Sequence, residues 1–173
     1  MTAPQPPSSR PIPIQTAAAR PSAEDKARQK AALLAQAEAT PWRLQALMRA
    51  PHRLGFFLAM LLLVAGSLWW ALVQTDRFSG ALQLQQTLPA TLVHAHVMVY
   101  GFMPLYFAGF LFTAGPKWLN VTAPTTQQVR PLLLMQATGW LLWLVGAQLH
   151  QTLALLGGTL ALLGLCWMYA LWW

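Results

Sequence analysis

Three long apolar stretches divide the chain. The first runs from about Leu54 to Val73 and the second from about Pro89 to Ala114. The third, residues 131–173, is apolar almost throughout. About twenty helical residues, rising 1.5 Å each, cover a hydrocarbon layer roughly 30 Å thick. The first two stretches therefore predict one crossing each. The third would make a helix of about 65 Å, twice a bilayer, so it must fold back. Its polar cluster is Gln148, His150, Gln151 and Thr152, which places a tight turn there. The pattern predicts four spans: 54–73, 89–114, 131–149 and 153–173. The fold class it implies is all-α, a polytopic transmembrane helical bundle covering residues 51–173.

Local signals mark the ends of these spans. Trp69 and Trp70 sit near the far end of the first, as an aromatic belt would. Residues 74–88 and 119–130 read as polar loops. Thr87 is a nearby cap for the second span. Pro104 should free the carbonyl of Tyr100 and kink that span. Gly115-Pro116 should end it, with Lys117 and Trp118 at the interface. Gly157 and Ala161 form a small-xxx-small pair that allows two helices to approach closely. Residues 1–50 form a different kind of segment, an N-terminal arm. Residues 1–21, rich in Pro, Ser, Ala and Gln, bury too little apolar surface to offset their ordering entropy and read as disordered. Residues 22–40 read as a helix, with Ser22 as N-cap and Glu24 and Asp25 in the first turn. Pro41 can start a short amphipathic piece in which Trp42, Arg43, Leu44, Leu47, Met48 and Arg49 suit the headgroup zone.

Composition supports this picture. The chain is 56% apolar and 9% charged, where about a quarter of a soluble domain is charged. The net charge of +7 would suit nucleic acid, but eight of the eleven Lys and Arg precede residue 54. Basic residues there act as a cytoplasmic retention signal, and nucleic acid drops out as a partner. Loop charges give the orientation. Lys117 and Arg130 flank the second loop, whereas the first carries only Arg77. The N-terminus and second loop are expected to be cytoplasmic; the first loop and the His150 turn face the other side, the periplasm in a bacterium. The first apolar run has no cleavage site after it and reads as a span rather than a signal peptide. Cys166, the single cysteine, can make no intrachain disulfide and reads as a packing residue.

This topology gathers three histidines toward the periplasmic face. His94 and His96 lie just inside the second span, and His150 lies at the outer end of the third. His52 stands alone at the cytoplasmic edge beside Arg53. Ionisable groups within a span are costly and usually functional. No acidic residue falls inside a predicted span, which argues against a carboxylate proton relay and against a hard-cation site. Imidazole and thioether suit iron and copper instead. Residues two apart on a helix point about 200° apart, so His94 and His96 cannot easily share one metal. His94, Met98, Gly101 and Leu105 share one face; His96, Tyr100, Met103 and Phe107 share roughly the other. Two faces suggest two neighbours, with one imidazole on a haem or metal and the other on a second metal or a hydrogen bond. His150 is a candidate partner from a separate helix. Gly101 and Gly109 leave room for a flat macrocycle or for a neighbouring helix. The tryptophans read as belt and packing residues.

The run HAHVMVYGF beginning at His94, followed by AGFLFTAGPKW beginning at Ala108, resembles the hallmark of the NnrS family. There the pattern is HAHEM, two residues, Gly-Phe, then AGFLLTA, one residue and Pro-Asn-Trp. The entry to the first span, Arg53-Leu-Gly-Phe-Phe, also looks like that family. The resemblance implies a multi-pass bacterial inner-membrane protein containing haem b and copper, linked to nitric-oxide metabolism and nitrosative stress. It implies His94, His96 and Met98 as cofactor-binding residues. Val97 stands where the family has Glu, so a role for that carboxylate is lost. Family members are also longer, which leaves completion of a cofactor pocket by a homo- or hetero-oligomeric partner as an expectation. A looser resemblance is to subunit I of haem–copper oxidases, through His94, Met98, Met103-Pro104, Gly109 and Phe110. The other histidines of that catalytic core are absent, so oxygen reduction by this chain alone is not expected.

Three functions follow. The first is ligation of haem, with copper as a second cofactor, to hold a diatomic gas at an open metal position rather than turn over a substrate. The second is a non-catalytic scaffold whose histidines only hydrogen-bond between helices. The third is a small b-type cytochrome, which needs a second axial ligand such as His150.

Overall fold

The computed structural model describes residues 22–39 and 44–173. Among them every regular element is a helix and no strand forms. The segment expected to be disordered, 1–21, lies outside the described residues, as do Trp42 and Arg43 of the amphipathic piece.

In the arm, α1 spans Ala23–Ala39. Its start is as anticipated. The Ser22 hydroxyl accepts from the Asp25 amide at 3.1 Å, and the Asp25 carboxylate accepts from the Ser22 amide at 3.2 Å. These reciprocal bonds satisfy donors that a helix N-terminus otherwise leaves open.

The bundle opens with a short 3-10 helix, Leu44–Arg49, and then α2, Pro51–Ser79. Pro51 suits this start because a first-turn residue needs no amide hydrogen. The second crossing, Ala90–Leu119, is one apolar rod in three pieces. These are α3 (Ala90–His96), a π-helical turn (Val97–Phe102) and α4 (Met103–Leu119). After a loop come α5, Thr126–Leu149, and α6, Gln151–Trp172. These four crossings are long and apolar enough to span a membrane. The most buried is α5, at 56% of its most apolar window against 28–33% for the others, so the core forms around it.

The rods outrun the apolar stretches that predicted them. α2 continues six residues past Val73 into the expected loop. It stops at Gly80, whose φ of +65° is the left-handed cap that glycine adopts at low cost. Asp76 then organises the loop, its carboxylate accepting from the amides of Leu82, Gln83 and Leu84 at 2.8–2.9 Å. The second crossing passes through Gly115-Pro116 and ends at Asn120, φ +55°. Pro116 removes only one intrahelical bond, and its carbonyl accepts from Asn120 and Val121. α5 likewise starts five residues before Pro131, because Thr125 and Gln128 form a capping box there. Hydropathy marks where hydrocarbon begins; capping chemistry decides where the helix does. Thr87 caps a different helix from the expected one. Its amide and hydroxyl donate to the last carbonyls of α5, those of Gly146 and Ala147.

The expected turn at His150 forms with a single extended residue, φ −162°. α5 and α6 therefore run back to back. A Cβ placed on Gly139 would lie 2.5 Å from the Ala161 nitrogen, and one on Gly157 would lie 2.7 Å from the Gly139 oxygen. Gly146 meets Ala154 closer still, and Gly164 faces the backbone of Gln136. On α6 the contact positions 154, 157, 161 and 164 alternate three and four apart, the period of a packed helical seam. The Gly157/Ala161 pair thus has the role read for it. A second seam joins α2 to the second crossing. Gly55 meets Gly109, Leu62 meets Gly101, and Gly66 meets Met98. Both Gly101 and Gly109 are filled by neighbouring side chains, from Trp140 and Leu62 and from Phe56 respectively. Of the two readings of these glycines, helix packing is the one the fold uses.

Replacing Gly157 by Ala is expected to cost about 1–3 kcal/mol, the usual range for overpacking, because the clash is with backbone. Gly158→Ala should cost clearly less, since its nearest neighbour is the Trp143 ring at 3.1 Å. Reversible unfolding in mixed micelles would measure both, and equal costs would contradict this packing.

Candidate functional site

The π turn lies just before Pro104 and follows from it. Proline has no amide hydrogen, so neither Tyr100 in an α register nor Val99 in a π register can bond to residue 104. The amide of Met103 is taken by Met98, five residues back. Val99 is thereby left with no helical donor. The expected disturbance at Tyr100 is present, spread over a wider turn. Such turns recur at functional sites, and this one lies directly after the two histidines.

The histidines part company as their spacing predicts. His94 turns to α2, where its ring stacks on Trp70 at 4.8 Å and 19°. Its Nδ1 is buried without a hydrogen-bond partner. Met98, one turn on, takes the same side, its terminal methyl seated at Gly66. Trp70 in turn carries the Arg77 guanidinium 5.9 Å from its ring centre. Trp70, expected in a belt, also forms the wall against His94.

His96 turns the other way, its ring 5.7 Å from Trp143 and 5.5 Å from Tyr100. Its Nδ1 lies 2.8 Å from the Leu92 carbonyl oxygen. A carbonyl only accepts, so Nδ1 carries a hydrogen and donates it, which in the neutral ring leaves the Nε2 lone pair free. This is the arrangement by which a backbone carbonyl orients an imidazole for ligation. Beside it is a cavity of about 390 Å³ lined by His96, Tyr100, Trp140 and Trp143, with Leu155, Gly158, Thr159 and Leu162 of α6. That volume is within the range of small-molecule and cofactor pockets.

Trp140 and Trp143 are functional candidates that a belt reading overlooks. Both are buried, at 3% and 8% exposure, and their indole nitrogens have no partner. Their position near mid-span, three residues apart on one face, is the signal that separates them from a belt. Gln136, one turn from Trp140, is likewise buried with both amide atoms unpartnered.

The remaining histidines sit apart. His150 is exposed at the α5–α6 turn, and its Nδ1 accepts from the Thr152 amide at 3.4 Å. The antiparallel order puts it at the same end of the bundle as His94 and His96. No three His, Cys, Asp or Glu side chains gather to hold a metal among the described residues. His52 is not alone, because the Thr113 hydroxyl lies 3.3 Å from its Nδ1 across the α2–α4 seam. Cys166 is exposed on α6 rather than packed. With its amide oriented to satisfy both neighbours, Gln148 accepts from Trp69 Nε1 and donates to the Gln85 carbonyl. This ties α2, the first loop and α5 together at the histidine end.

The second crossing thus carries His94 and Met98 on the side toward α2 and, on the other side, the His96 imidazole lining an aromatic cavity. Comparison with curated proteins and with solved structures gave no match. The family described as NnrS protein does match, over residues 46–173. That span covers the whole bundle, both histidine faces included, and the chain belongs to the NnrS family, which links this multi-pass membrane protein to nitric-oxide metabolism.

Proposed function

We propose that this protein binds haem through His96 and copper through His94 and Met98, close to the periplasmic face of a bacterial inner membrane. The observation that carries the reading is the hydrogen bond from His96 Nδ1 to the Leu92 carbonyl, on an imidazole that lines a cavity together with Trp140 and Trp143. A flat macrocycle suits such walls, and a neutral imidazole is the usual axial donor to haem iron. His94 and Met98 supply the soft nitrogen and sulfur donors that suit copper. Bound there, the metals would supply an open position for a diatomic gas such as nitric oxide.

The chain's own residues do the rest. The Leu92 carbonyl holds the His96 ring and its proton in place. Trp143 and Trp140 exclude water from one side of that ring. Trp70 covers His94. Val97, fully buried, brings no carboxylate to the site, so proton delivery by that position is absent from the mechanism. The orientation rests on the charge bias: the arm and the Lys117–Arg130 loop cytoplasmic, the His150 turn outside.

Purified protein from haem-supplied cells is expected to show a Soret band that His96→Ala removes. His94→Ala and Met98→Leu should leave that band and lower copper affinity at least about 10-fold, the scale of even outer-shell losses at metal sites. Optical spectra with metal analysis measure both, and a colourless, metal-free protein would overturn the reading. In cofactor-free protein, nitrogen NMR should find the His96 hydrogen on Nδ1; a proton on Nε2 would remove the observation that carries the haem reading.

One observation favours the scaffold reading, namely that both histidines already make helix–helix contacts through Trp70 and Trp143. If His94→Gln and His96→Gln leave metal content and phenotype unchanged, that reading holds instead.

A further inference from the structure

The cavity beside His96 has a buried floor and an exposed rim. Trp140 and Trp143 form the floor. The rim is Tyr100, Leu155, Thr159 and Leu162; Tyr100, Leu155 and Leu162 are 48–52% exposed. Those rim residues occupy the outward faces of the second crossing and of α6. α6 contains no charged residue. Its 22 residues give a rod about as long as the hydrocarbon layer is thick. Leu155 to Leu162 lie roughly 6–17 Å along that rod, at 1.5 Å per residue. At that depth an outward face meets acyl chains, not water.

We propose that this cavity opens sideways into the hydrocarbon layer, so that the small, uncharged ligand of a group held at His96 arrives from the bilayer rather than from water. The inference rests on the reading of His96 as a ligating residue and adds the route. No side chain of the lining carries a fixed charge, as there is no Lys, Arg, Asp or Glu in it. The Thr159 hydroxyl on the rim already donates to the Leu155 carbonyl at 2.8 Å. A charged ligand such as nitrite would lose its hydration with no opposite charge to replace it, at a cost that grows with depth. An apolar diatomic gas loses nothing on that path and is concentrated by the lipid. Gly158 sets the width of the passage: a Cβ there would press on the Trp143 ring at 3.1 Å, so its absence lets the ring lie flat against α6.

The test uses the full chain in lipid vesicles, with the native thiol removed by Cys166→Ser. Thr159→Cys reports on the rim and Gln151→Cys on the water-facing start of α6. A charged, water-soluble maleimide is expected to label position 151 and spare 159, while a nitroxide carried at 159 collides with dissolved oxygen rather than with a water-soluble nickel chelate. Equal labelling of both by the charged reagent would overturn the lateral opening, whether or not haem is present. In haem-loaded protein, Leu162→Trp narrows the mouth from its exposed side without entering the core. Carbon monoxide should then rebind after flash photolysis about tenfold more slowly than in the parent chain, equivalent to ~1.4 kcal/mol of added barrier. An unchanged rate would overturn the route. Absence of the Soret band in the parent chain would overturn the haem reading of His96, leaving the labelling to decide where the cavity opens.

Discussion

Helices in hydrocarbon gain nothing from leaving it for one another, since acyl chains are as apolar as leucine. What joins them is close backbone contact, and this bundle obtains it from glycine and alanine. The Gly139–Ala161 and Gly157–Trp143 contacts bring α5 and α6 together with almost no side chain between them. The Gly55–Gly109 contact does the same for α2 and the second crossing. Every other placement follows from these two seams. With the rods fixed in antiparallel register, Trp70 is set against His94 and Trp143 against His96. The placement of both histidines is thus a by-product of where small residues fall.

Much of this was legible in the residues. Four crossings, the turn at His150, the Ser22 cap and the divergence of His94 from His96 follow from period and hydropathy alone. The helix ends did not follow, because they are set by Gly80, Asn120 and the Thr125–Gln128 pair rather than by the edge of the apolar run. Thr87 was read locally, as a cap for the nearest helix, and its partner lies about sixty residues away. Bonds of that range are decided by packing, which a linear pattern does not contain. The π turn had one visible sign, Pro104, which predicts a lost bond but not the register that absorbs it. Trp140 and Trp143 carried a sign that a belt reading passes over, their distance from either end of the span.

The unpartnered polar atoms show the same logic from the energetic side. A polar group buried without a partner costs on the order of 1–3 kcal/mol by mutational measures. Gln136, Trp140, Trp143 and His94 all carry such atoms, and the first three line one strip of α5. A bundle built from Leu, Ala and Gly can be stable without them. Trp140 and Trp143 line the His96 cavity, and Gln136 continues the same strip of α5, which sets that strip apart from the otherwise apolar core.

The single-residue link at His150 has a further consequence, for biosynthesis. With only one residue outside helical geometry, neither α5 nor α6 can take up its final depth while the other waits at the surface. The glycine faces that lie against each other would otherwise be presented to lipid with their backbones uncovered. The pair therefore enters the membrane as a preassembled hairpin, and the last quarter of the chain behaves as one insertion unit instead of two.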